Sequence, residues 1–152
     1  MKALFKTGAE WSALIVRLTL ALVIFPHGAQ KVLGWFGGYG FSGTLNFFTH
    51  VLHVPVVLAV LVFVLEFLGP LGLVVGLLTR VVAAGLLVEM IDVIVKIHGH
   101  NGFFMNWTGK QAGEGFEYHL LIIGMALALL ISGAGRWSLD RLIGELMEEG
   151  EA

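Results

Sequence analysis

The sequence predicts an all-α integral membrane protein, a bundle of four transmembrane helices with interfacial segments between them. Hydrophobic residues make up 57% of the 152 residues and charged residues only 13%, roughly half the charged share of a soluble domain. The most continuous apolar run, 55–78, is long enough for a bilayer core, which takes about 20 residues. We therefore expect residues 1–152 to form a single membrane domain.

The composition also excludes several classes of function. The chain has no cysteine, which rules out disulfides, thiolate metal sites, iron–sulfur ligation by this chain and a catalytic thiol. Its net charge is −2 and it contains no basic run, so nucleic acid is not an expected partner. Its glycines lie in apolar runs and turns, without the strand-then-helix context of a nucleotide-binding loop.

The first predicted span covers about residues 10–28. Lys2 and Lys6 precede it as in a signal peptide, but the apolar run is too long for one and contains Arg17. We therefore interpret it as a retained helix. His27 and Lys31 lie four residues apart at its outer end and share a face if the helix continues.

Residues 28–54 are rich in glycine and aromatic residues but too interrupted to span. Trp35, Phe36 and Tyr39 are typical of the headgroup layer of a membrane. A short amphipathic helix is predicted from Ser42. Its apolar side would consist of Phe41, Leu45, Phe48 and Leu52.

The second predicted span, about 55–78, carries one ionisable group, Glu66, near its middle. A carboxylate at that depth costs roughly 2.5–3.5 kcal/mol or more, so Glu66 should face protein or a water-filled cavity and have a partner. Pro70 has no N–H and therefore leaves the carbonyl of Glu66 without its helical hydrogen bond. Glu66 either belongs to a site or joins helices structurally, and Arg17 is its expected partner.

The third predicted span, about 81–97, follows a tight turn at Thr79-Arg80 and is the most polar. Glu89, Asp92 and Lys96 share one helical face. A structural Asp92–Lys96 pair would explain two of these residues but not the deeper Glu89.

The loop that follows and the fourth predicted span, about 116–132, complete the bundle. The loop carries Phe103, Phe104 and Trp107, and its composition predicts an ordered lid or interfacial segment. Glu117 and His119 open the span. The tail, 137–149, is predicted to be an amphipathic juxtamembrane helix with Ser138 as its N-cap.

Charge and depth predict the orientation and a polar pocket. The side of the membrane that holds both termini carries five of the Lys and Arg residues near span ends against three opposite, which predicts cytoplasmic termini. At about 1.5 Å per residue, Arg17, Glu66 and Glu89 fall near mid-membrane. The other polar residues fall in the outer half: His27, Lys31, Asp92, Lys96, Glu117 and His119. We therefore predict a polar pocket inside the bundle that opens toward the outer face.

Several motifs resemble those of the DoxX family of small four-helix membrane proteins. They run in order over about residues 15–142: FPHGAQKVLG, EFLGPLGLVVGLLTR, HGHNGFF, GFEYH and GAGRWSLD. Some members are described as subunits of a terminal quinol oxidase or a thiosulfate:quinone oxidoreductase, and others are tied to membrane redox and oxidative-stress complexes. The resemblance implies a multi-pass protein of a bacterial or archaeal cytoplasmic (inner) membrane. The motif positions in this chain are His27, Lys31, Glu66, Arg80, Gly102, Glu117, Arg136 and Asp140.

Residues and resemblance together predict a site for a quinone, a quinol or a similar lipophilic ligand, because polar groups walled by apolar helices are typical of small-molecule sites. The residues expected to exchange protons with it are Glu66, Glu89, Asp92, Glu117 and His119. Those expected to bind it are Arg17, His27, Lys31, Trp35, Phe103, Phe104 and Trp107. The chain has no thiolate to carry electrons onward, so any enzymatic role is at most that of a quinone-linked oxidoreductase subunit acting with a partner.

Several alternatives stay open from the sequence alone. His27 and His119 could hold a haem, and His98, His100 and His119 could bind a metal, although their spacing is loose. The protein could instead be a non-catalytic accessory or assembly subunit, whose polar groups only lock the bundle. A small-solute transporter fits less well, since four helices without inverted halves leave little room for alternating access. The expected partners are the lipid bilayer and a redox subunit or a second copy of the chain.

Overall fold

The computed structural model describes residues 2–150, and within that range the chain is helical and contains no strand. The all-α fold predicted from the sequence is confirmed. In chain order the α-helices are α1 Lys2–Phe5, α2 Trp11–Leu33, α3 Gly40–Asn46, α4 Val56–Val75, α5 Thr79–Val93, α6 Glu117–Ser132 and α7 Leu139–Glu149. Shorter helical turns cover Trp35–Gly37, Phe47–Val51, Ile94–His98 and Gly99–Asn101.

Helices α2, α4, α5 and α6 pack side by side as an antiparallel bundle. The principal contacts join α2 to α4 and α5 to α6, and further contacts of α2 with α6 and of α4 with α5 close the ring. The buried core includes Leu20, Leu73, Leu86, Ile122 and Leu129, with small residues such as Ala21, Ala83 and Ala126 between them. These small residues let the helices approach closely, as is usual in membrane bundles.

Among the described helices, α2 and α4 are long and apolar enough to cross a membrane, with 23 and 20 residues. Helix α6 is apolar but shorter, with 16 residues. Helix α5 has 15 residues and continues into the irregular turn Ile94–His98. The many exposed apolar side chains on these helices are typical of a membrane protein, and the four spans stay a prediction.

Two helix ends differ from the predictions. Helix α2 does not end near residue 28 but continues to Leu33, because Pro26 is accommodated inside it and Gly34, with φ 73°, ends it. The predicted turn at Thr79-Arg80 is wrong. The chain turns at residues 76–78, where Gly76 and Leu78 adopt left-handed φ values of 68° and 53°. At the tail, Ser138 Oγ accepts a hydrogen bond from the backbone N–H of Arg141, which confirms it as the N-cap of α7.

The two ends of the bundle hold different segments of the chain. We call the end that holds the 76–78 turn and the starts of α2 and α7 the tail end. The opposite end, which holds the end of α2 and the start of α6, is the loop end, because the loops 34–55 and 99–116 lie there. Surface clefts of about 320 and 270 Å³ lie at the tail end, along α1 and α7, with Lys6, Gly144 and Glu148 in both linings.

Candidate functional site

A buried ion pair forms the centre of the candidate site. Nζ of Lys31, near the end of α2, contacts Oε2 of Glu66 in the middle of α4. Their side chains are only 22% and 8% exposed. Glu66 thus has the partner that a carboxylate inside an apolar bundle needs.

Helices α2 and α4 touch closely beside this pair because Gly28 has no side chain. A Cβ atom at Gly28 would lie 2.2 Å from the carbonyl oxygen of Glu66, well inside van der Waals contact. That carbonyl is the one that Pro70 cannot bond. Close packing of Gly28 on Glu66 is therefore what places Lys31, one helical turn further on, over the carboxylate.

Glu89 of α5 adds a second carboxyl group to the pair. It is 8% exposed, lies within hydrogen-bonding reach of the Glu66 side chain, and is close enough to Lys31 for their charges to interact. Glu66 and Glu89 are almost equidistant in sequence from Leu77, at the centre of the turn between α4 and α5. An antiparallel helix pair therefore brings them to the same height.

The start of α6 supplies the remaining members of this site. Tyr118 lies close enough to Glu66 for an electrostatic interaction, and its ring centroid is 6.2 Å from that of His27. His119 is buried, and its ring centroid is 4.5 Å from that of His98. We refer to His27, Lys31, Glu66, Glu89, Tyr118 and His119 as the polar cluster.

Three atoms of the polar cluster are buried without a hydrogen-bond partner in the described part of the chain. They are Oε2 of Glu89, the hydroxyl of Tyr118 and Nδ1 of His119. Burying such an atom unpaired costs about 1–3 kcal/mol. They give the cluster unused capacity both to donate and to accept hydrogen bonds.

The structure leaves other predicted site residues outside the polar cluster. Asp92 pairs with Lys96 across 2.6 Å at the surface, as the structural alternative predicted. Glu117 points to the loop, where it accepts hydrogen bonds from the backbone N–H of Met105 at 2.9 Å and from Nε1 of Trp107 at 3.2 Å. The predicted aromatic residues are exposed at the loop end: Trp35, Phe103, Phe104 and Trp107.

The predicted Arg17–Glu66 pair is wrong. Arg17 is 1% exposed, and its Nη2 donates to the backbone carbonyls of Arg136 at 3.1 Å and Trp137 at 2.5 Å, at the tail end. The physical reason is the length of α2. Because α2 continues past residue 28, Gly28 rather than Arg17 lies level with Glu66, and the guanidinium reaches the near end of the bundle instead.

Arg17 is part of a network that fastens the tail end. Asp140 is the carboxylate whose charge interacts with Arg17, and it accepts hydrogen bonds from the backbone at the start of α5. Arg80 donates to the carbonyls of Leu130 and Ile131 at 2.9 and 3.0 Å, which ties α5 to the end of α6. Two of the motif positions, Arg80 and Asp140, therefore make structural contacts at the tail end.

The metal alternative gains no support, since the described residues contain no group of three or more His, Asp or Glu side chains placed to hold a metal ion. The haem pairing of His27 with His119 stays a hypothesis. Tyr118 was missed by the sequence analysis, although it precedes the buried Ile122 by one helical turn and that spacing indicates an inward position.

Comparison with protein families matches residues 12–99, more than half of the chain, to the DoxX family model. The chain belongs to the DoxX family. The matched range holds α2 to α5 of this DoxX protein, and with them His27, Lys31, Glu66 and Glu89 of the polar cluster. Neither a curated protein nor a solved structure matches the chain.

Proposed function

We propose that this DoxX protein is an integral membrane subunit of a respiratory or other redox complex, and that its polar cluster binds the headgroup of a quinone, a quinol or a similar lipophilic molecule. The observation that carries the proposal is the set of unpartnered buried atoms on Glu89, Tyr118 and His119. A quinone offers two carbonyl oxygens that accept hydrogen bonds, and a quinol offers two hydroxyls that donate them. The Tyr118 hydroxyl is a donor and the Glu89 oxygen an acceptor, so both forms find partners.

The surroundings of the polar cluster suit an amphipathic ligand. The outward surface of α4 is apolar along its length, with exposed residues that include Val57, Leu61, Val64 and Leu68. A prenyl tail lying along such a surface would be in lipid while the headgroup reaches the bundle interior. A few polar groups that orient an otherwise apolar ligand are typical of small-molecule sites, which supports the proposal.

Access to the cluster would come from the loop end. Two backbone hydrogen bonds hold the segment 102–117 there. The N–H of Phe116 donates to the carbonyl of Gly102 at 3.2 Å, and the N–H of Glu117 donates to the carbonyl of Phe103 at 2.9 Å. The Glu117 side chain adds its bonds to Met105 and Trp107, and Trp107 is 84% exposed. Displacing this segment would uncover Tyr118 and His119 at the start of α6.

Redox chemistry would need a partner subunit. Quinol oxidation releases two protons and two electrons. Glu89 and His119 are suitable proton acceptors. For the electrons, the chain contains no cysteine to hold an iron–sulfur cluster. The electron acceptor would therefore be a metal or flavin in another chain. We further propose four spans with both termini in the cytoplasm, which places the polar cluster in the outer half of the membrane.

The test is binding of a quinone analogue to the purified protein. Tyr118→Phe removes a hydrogen-bond donor and should weaken binding by about tenfold, as expected for ~1–2 kcal/mol per bond. Glu89→Gln keeps one acceptor oxygen but loses the negative charge, so it should weaken binding of the quinol by a smaller factor. Asp92→Asn is the matched control, because it alters a carboxylate of the same helix that lies at the surface. Failure of a quinone to copurify, together with no binding of the analogue to wild type, would exclude this function.

A second candidate is a non-catalytic accessory or assembly subunit. It is favoured by the internal neutralisation of Glu66 by Lys31 and by the tail-end network around Arg17, both of which lock helices together without a ligand. In that case the variants Tyr118→Phe and Glu89→Gln would leave the yield of the assembled complex unchanged, while Lys31→Met would lower it.

A further inference from the structure

We infer that Glu66 and Glu89 hold one proton between them opposite the ammonium group of Lys31, so that the polar cluster is a proton-binding site in the absence of any ligand. The inference goes beyond the proposed function, because it concerns the protein alone. Two carboxyl groups from α4 and α5 lie within hydrogen-bonding reach of each other. Both residues are more than nine-tenths buried.

Two ionised carboxylates cannot share a hydrogen bond, because each has only acceptor atoms. A proton on either one supplies the missing donor. It also removes the repulsion of two like charges in a site of low polarity, where an unpaired charge is expensive. The close approach of Glu66 and Glu89 therefore indicates a carboxyl–carboxylate pair rather than two carboxylates.

The charges facing this pair fit the same conclusion. Lys31 and His27 face it from α2, and Tyr118 faces it from α6, with His119 beyond. Lys31 brings one positive charge. One carboxylate and one protonated carboxyl opposite it make the buried group neutral, whereas two carboxylates would leave a net negative charge inside the bundle.

The shared proton can change places without changing the total charge. The O–H bond on a Glu89 oxygen breaks as an O–H bond forms on a Glu66 oxygen, and the negative charge moves the opposite way. Lys31 stays an ammonium throughout. Because Lys31 is the most exposed member of the three, at 22% against 8% for Glu66 and Glu89, the proton meets water on the Lys31 side of the pair.

Infrared spectroscopy of the ligand-free protein in detergent tests the inference. Wild type at neutral pH should show the C=O stretching band of a protonated carboxyl group, and this band should shift in D₂O. Glu89→Gln should abolish the band, because Glu66 then remains as the ionised partner of Lys31. Glu66→Gln should also abolish it, because Glu89 then remains as the ionised partner of Lys31. Asp92→Asn, at a surface carboxylate of the same helix, should leave it unchanged.

Removing the cation gives a second and opposite readout. Lys31→Met should increase the band, since the buried pair then becomes neutral only by taking up a second proton. If Lys31→Met does not fold, Lys31→Gln should give the same increase. Absence of the band in wild type, or its survival in both Glu66→Gln and Glu89→Gln, overturns the inference. Because no quinone is present, that failure is distinct from failure of the ligand-binding test.

Discussion

Asp140, in the first turn of α7, accepts a hydrogen bond of 2.8 Å from the backbone N–H of Thr79, the first residue of α5. Its other carboxylate oxygen accepts from the N–H of Leu78 at 2.7 Å. The first N–H groups of a helix have no partner within the helix and need one from elsewhere. Here a carboxylate distant in sequence supplies it, so α7 caps the helix that carries Glu89.

Asp140→Ala should lower the thermal stability of the protein in detergent substantially. It leaves the buried N–H of Thr79 unpaired, which costs about 1–3 kcal/mol, and also the partly exposed N–H of Leu78, which costs less. Asp140→Asn keeps one acceptor and should lose less. Glu148→Ala, at an exposed carboxylate of the same helix, is the control. Equal melting temperatures for Asp140→Ala and Glu148→Ala would contradict the capping role.

Arg17→Met should also destabilise the protein, by about 3 kcal/mol or more. It removes the donor that the Arg136 and Trp137 carbonyls bind and leaves the charge of Asp140 without its cationic partner. Its effect should add to that of Glu66→Gln, since the two residues lie apart and share no partner. Its effect should not add to that of Asp140→Asn. Thermal melts of the single and double variants measure both relations, and coupling of Arg17 to Glu66 instead would restore the original prediction.

Lys31→Met should destabilise the protein by about 3–5 kcal/mol, the usual cost of leaving one partner of a buried ion pair unpaired. Adding Glu66→Gln should recover part of that loss. The control is the exposed Arg141–Glu145 pair, whose two residues lie four apart on α7 with their charged groups 2.8 Å from each other. Arg141→Ala should cost only about 0.3–0.5 kcal/mol. If Lys31→Met and Arg141→Ala lower the free energy of unfolding by similar amounts, the Lys31–Glu66 pair is not buried in the purified protein.

The sequence predicted that Glu66 needs a partner but not which residue supplies it. Glu66 was recognised as a residue that needs a partner because a carboxylate in an apolar run is costly wherever it lies. Choosing the partner required knowing which turn of α2 faces Glu66, and this depends on where α2 ends. Counting 1.5 Å per residue placed Arg17 level with Glu66, so Arg17 was chosen as its partner, and Lys31 was predicted only to bind a ligand in the outer half of the bundle. The symmetric placement of Glu66 and Glu89 about Leu77 was the available signal for their contact.

Gly28→Ala should be destabilising although alanine favours helices. The added Cβ would overlap the carbonyl of Glu66, which is backbone and cannot move aside without shifting α4. Gly124→Ala is the matched control, because Gly124 lies in α6 and its Cβ would meet no atom within 4 Å. The control should be neutral or stabilising by about 0.5–1 kcal/mol. If both variants melt alike, close contact between α2 and α4 does not position Lys31 over Glu66.

The orientation of the bundle decides on which side the polar cluster meets water. Ser42 and Thr108 are exposed in the loop-end segments, and Glu149 is exposed at the end of α7. Because the chain has no cysteine of its own, single cysteines at these positions give an unambiguous labelling pattern. Cysteines at 42 and 108 should react with an impermeant thiol reagent in intact cells. A cysteine at 149 should react only after the membrane is permeabilised, because the excess of Lys and Arg beside the tail end favours the cytoplasm. The reverse pattern would turn the loop end, and with it Lys31, toward the cytoplasm and would contradict the proposed orientation.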